Sequence, residues 1–141
     1  MRKEFRERLA KEYRFAADRM AFEKEIPKKL FYFSVLFGEA QRVLNWDWDR
    51  DLSLLQVLAA QVHAQVSGLT ATNGWVVLPI KSSLVFEQLT KITRDLAAYF
   101  EQSESKADRQ ELYRILGRLA EVSYASTGNG SHLFERGLIK F

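Results

Sequence analysis

Apolar side chains fall on nearly every face of a helix between Lys28 and Trp48. Leu30, Phe31, Phe33, Val35, Leu36, Phe37, Ala40, Val43 and Leu44 leave no polar face to turn outward. Such a helix is normally buried, which predicts a central helix over about 28–45 with the others packed round it. Before it, Phe5, Leu9, Tyr13, Ala16 and Met20 recur at steps of three and four over residues 2–25. That is one amphipathic stripe, with Pro27 ending the helix or opening the next. Phe15 and Phe22 lie a heptad apart and off this stripe, so they mark a second face that meets either the core or another chain.

Three more helices follow. Leu55, Leu58, Ala59, Val62 and Val66 form a stripe over about 51–67, with Asp49, Asp51 or Ser53 as cap and Ser67-Gly68 as stop. Leu89, Ile92, Leu96 and Phe100 define a helix over about 83–102, and Leu112, Ile115, Leu119 and Val122 one over about 106–125. Ser105-x-x-Asp108 resembles a capping box at the start of the last. Residues 69–80, LTATNGWVVLPI, are the least helical. Asn73-Gly74 suits a type I′ turn, so a short hairpin or an extended loop is expected there. Gly38, inside the central run, suggests close approach of another helix. The fold class is therefore mainly α: a five-helix bundle in one domain over residues 1–125, then a glycine-containing break and an apolar tail over 126–141.

Composition narrows the function more than it identifies it. With 141 residues, 47% hydrophobic, the chain has ample material for a single core. It has no cysteine, which removes disulfides, thiolate metal sites and cysteine nucleophiles. The charged N-terminus lacks the apolar segment of a secretory signal. The longest apolar run, Leu30 to Phe37, is far short of the roughly 20 residues that span a bilayer. A soluble cytoplasmic protein with no membrane partner is expected.

The net charge of +3 is uneven: residues 1–29 carry ten Lys/Arg against six Asp/Glu. This basic N-terminal segment supports a second reading, a nucleic-acid-binding accessory protein acting through Arg2, Lys3, Arg6, Arg14, Lys28 and Lys29. Asp47, Asp49 and Asp51 stand beside Trp46 and Trp48 and oppose it by repelling phosphate.

The residues for catalysis are sparse. Asp47, Asp49 and Asp51 begin like a calcium loop. Leu52 and Leu58 then stand where Gly and a bidentate Glu are required, so capping is preferred. His63 has no second ligand at helical spacing, so an inert, hydrogen-bonded histidine is preferred to a general base. Glu39 is the only acid on the central run, and residues 52–67 have none, which leaves no inward carboxylate set for a metal. No cofactor, metal ligand or catalytic residue is assigned. Trp46, Trp48 and Trp75 lie in connections, as lids or as interface anchors. Phe134 and Phe141 belong to a tail that either folds back or docks on a partner. With Phe15 and Phe22, these five residues make up the expected contact set of a non-catalytic helical interaction module: a small subunit, an adaptor or a homo-oligomer.

Overall fold

The N-terminal stripe forms helix α1, Lys3–Phe22, and buries Leu9, Tyr13, Ala16, Ala17 and Met20. In this computed structural model, which describes residues 1–78 and 80–127, α1 is followed by α2, Ile26–Phe33, α3, Val35–Leu44, α4, Arg50–Ala71, α5, Ser82–Glu101, and α6, Arg109–Ala125. Ser34 alone separates α2 from α3, and the i→i−4 bonds run through it (Ser34 N to the Leu30 carbonyl, Gly38 N to the Ser34 carbonyl). Its hydroxyl donates back to the Phe31 carbonyl, a bond that bends helices. Counting α2–α3 as one bent rod, five helical rods make an all-α bundle, with no strand among the described residues. No helix is long and apolar enough to cross a membrane.

The rods close into a ring. α1 packs on α5, α5 on α6, α6 on α4, α4 on α3 and α3 back on α1; the α1–α5 seam is the most extensive. Small residues on α1 and Ala97 on α5 are fully buried there, alongside Leu89, Ile92 and Leu96. Thr90 and Thr93, also buried, return their hydroxyls to the Phe86 and Leu89 carbonyls and so bring no unsatisfied polar group into the core.

The expected central helix is thus one wall of the ring, not its hub. Leu30, Phe33, Leu36, Ala40 and Val43 face in, whereas Phe31 faces out. The run reads as apolar all round because its outer face is aromatic too. Gly38 admits no neighbour: a Cβ there would meet nothing within 4 Å.

Residues 69–78 do not form the hairpin. Helix α4 continues through Gly68 to Ala71, and Gly74–Val77 is a 3₁₀ turn. The Asn-Gly signal is used for a different purpose. Asn73 takes φ 56° just past the helix, the left-handed conformation that stops helices. Asp49 caps α4 through Leu52 N at 2.9 Å, as expected. Asp108 caps α6 through Gln110 N, so that helix starts at Arg109 and not at 106.

Two polar ties fix α1. The buried Tyr13 hydroxyl donates to the Leu36 carbonyl at 2.7 Å, and burial pushes its pKa up. Arg6 is buried at the C-terminus of α5. Its Nε and Nη2 donate to the Gln102 and Tyr99 carbonyls at 3.1 and 3.0 Å, and its guanidinium lies over the Tyr99 and Phe100 rings. A cation at those carbonyls is favourable both as a cap and against the helix dipole.

Arg6→Met is expected to cost about 1.5–3 kcal/mol in urea denaturation, since it orphans carbonyls that accept from a charged donor. Arg8→Met, which breaks only the half-exposed Arg8–Glu39 pair, is expected to cost under about 1 kcal/mol. Equal losses would refute the capping role. Gly38→Ala and Gly117→Ala, both in helices with open space for the methyl group, should each stabilise by roughly 0.5–1 kcal/mol. A loss of stability in either would show a constraint on the backbone that the packing does not reveal.

Candidate interaction surface

α1 turns one face to α5 and another to solvent, and the second carries Phe15 and Phe22, 53% and 70% exposed. The bend at Ser34 lays α2 beside it, with Phe31 66% exposed. Tyr32 joins the two helices. Its ring meets Phe15 edge-on at 6.0 Å between centroids and Phe31 at 5.2 Å. Arg19 lies over both Phe22 and Tyr32, at 5.0 and 5.2 Å, and is held by Glu23 at 2.6 Å. Its Nε is closed off from solvent and has no hydrogen-bond partner among the described residues. The result is one continuous surface: three exposed phenylalanines and a tyrosine arranged round a guanidinium. Phe31, Tyr32 and Arg19 were not in the expected contact set. Of these, the sequence carries a signal for Phe31 alone: the inward Leu30 and Phe33 of α2 place it on the opposite side.

Trp46 and Trp48 form a second exposed site, at 77% and 70%. In the run Trp46-Asp47-Trp48-Asp49-Arg50-Asp51 the carboxylates turn inward and the indoles outward. Asp47 accepts from Arg2 N at 3.0 Å, Asp49 caps α4, and buried Asp51 accepts from the Tyr113 hydroxyl at 3.1 Å. A groove of about 400 Å³ beside Trp46 is lined by Phe5, Arg8, Arg42, Val43 and Asn45. Trp75 belongs to neither site. It is half-buried against the core, with its Nε1 donating to Thr70 Oγ1 at 3.1 Å, and so acts as a lid on the end of α4. Phe134 and Phe141 lie outside the described residues.

The six expected phosphate contacts do not converge on one stripe. Arg6 is buried in its cap, which removes it from any such surface. Lys29 Nζ donates to the Met20 carbonyl and Arg14 pairs with Glu101. Lys3, Lys28 and Arg2 stand within 4.0 Å of Glu7, Glu25 and Glu4. Each basic residue has an acid or a carbonyl close by, so little concentrated positive field remains.

No group of three or more His, Asp or Glu residues placed to hold a metal occurs among the described residues. His63 is packed against aromatics, stacked 6.5 Å from Phe33 and edge-on 5.2 Å from Phe37. Burial lowers its pKa, and a hydrogen bond with the Leu30 backbone offsets part of that shift. Compared with protein-family models, with curated proteins and with solved structures, the chain finds no match in any of the three.

A lowered pKa means that the fold prefers neutral His63. Its contribution is then whole above the ordinary value near 6.5 and is lost as pH falls through the lowered one. Between pH 7.5 and pH 5, the wild type should therefore lose more stability than His63→Gln. Identical pH profiles would show that the imidazole is not the source.

Proposed function

We infer that this protein is a non-catalytic helical interaction module and binds protein, its own kind or another, through the aromatic face of α1 and α2. The observation that carries this reading is the exposure of Phe15, Phe22 and Phe31 as one contiguous patch round Arg19. Three exposed phenylalanines are costly to keep wet unless something covers them. Aromatic rings beside an arginine are the composition typical of binding hot spots. The turned-out Trp46 and Trp48 offer a second contact of the same character.

The double variant Phe22→Ser/Phe31→Ser separates binding from folding. Exposed rings kept for a partner contribute little to the isolated fold, so its stability should stay within about 0.5 kcal/mol of wild type. A loss of about 3 kcal/mol or more would identify the rings as core and remove the basis of the reading. Purified protein carrying 260-nm-absorbing material that high salt strips away would favour the nucleic-acid alternative.

A further inference from the structure

We propose that the aromatic face is covered by the same face of a second copy of this chain, with the two α1 helices crossing antiparallel near Asp18 and Arg19. This rests on the reading of that face as a contact surface and names its occupant.

The first support is symmetry. A two-fold interface must be self-complementary, residue i meeting j and j meeting i. Phe15 and Phe22 are seven residues apart, about 10 Å along one side of the helix. An axis midway between them sets Phe15 opposite Phe22 of the partner subunit, twice over, and brings Arg19 and Arg19 of the partner subunit close to the axis.

Charge is the second support. Lys11 and Glu12 stand on the N-terminal side of the ring pair, and Lys24 and Glu25 on its C-terminal side. Antiparallel crossing brings Lys11 toward Glu25 of the partner subunit and Glu12 toward Lys24 of the partner subunit. A parallel crossing would stack like on like.

Area is the third. A fully buried aromatic side chain removes about 150–250 Å² from water. At the exposures found, the three phenylalanines offer roughly 300–450 Å² of ring surface. That is the size of the largest apolar patch on a typical monomer. It is about half of the ~800 Å² that each partner contributes to a standard interface, which leaves the rest to the charged rim, as interfaces are built.

Sedimentation equilibrium on the whole chain tests this, with circular dichroism to confirm that each variant is folded. Wild type should sediment at twice 16.4 kDa. Phe22→Ser should weaken the dimer by roughly 30-fold or more. Lys11→Glu should weaken it by about three- to fivefold, and Lys11→Glu/Glu25→Lys should restore it. A wild-type monomer across the concentration range would overturn the second-copy inference while leaving the contact-surface reading to the stability test of Phe22→Ser/Phe31→Ser. A dimer indifferent to Phe22→Ser would overturn the inference by placing the interface elsewhere. A dimer sensitive to Phe22→Ser but not rescued by the charge swap would overturn the antiparallel crossing.

Discussion

The seam between α1 and α5 is the constraint on which the rest depends. It joins residues about ninety positions apart, and the other rods are placed around it: α2–α3 lies along α1 and reaches α5 through α2, α6 packs on α5, and α4 joins α6 to α2–α3. A ring closed in this way has no central rod. Each helix then has an outer face whose composition is free of core packing, and α1 and α2 fill theirs with phenylalanine. Arg6 shows how tightly the seam is drawn. A guanidinium is accepted in the interior because α5 presents it with its last carbonyls and two ring faces, a site matched to a cation.

Most of the fold was legible in periodicity, because amphipathic stripes report which side of a helix is buried whatever the neighbours turn out to be. Leu9, Tyr13, Met20, Leu55, Val62, Leu96 and Leu119 all lie inside as their spacing requires. The errors came where one signal serves two structures. A run that is apolar all round describes a hub, but equally a wall with a greasy outer face, and only Phe31's exposure separates them. Asn-Gly asks for a positive φ, and a helix stop satisfies that as well as a hairpin. Gly38 looked like a point of contact, yet nothing packs against it.

The candidate surface was half legible. Phe15 and Phe22 stood out because they break the α1 stripe. Tyr32 and Arg19 could not, since their role comes from α2 folding back along α1, a relation set by the turn at residues 23–25 and not by spacing. The basic residues show the opposite case. Counted along the chain they make an excess, but in space an acid or a carbonyl stands within reach of Arg2, Lys3, Arg6, Arg14, Lys28 and Lys29. Charge counts describe the strand of sequence, whereas fields depend on what the fold sets beside each charge.

The long reach of the α1–α5 seam also bears on the order of events during synthesis. Among the described helices, α1 is made before the others and its main partner last but one. At about 5–20 residues per second, roughly 5–20 seconds separate the emergence of Arg6 from that of the α5 carbonyls it will cap. Throughout that interval the nascent chain displays both faces of α1, the stripe meant for α5 and the rings meant for solvent or a partner. The window in which α1 can be taken by a chaperone, or by a neighbouring chain on the same message, is therefore built into the topology.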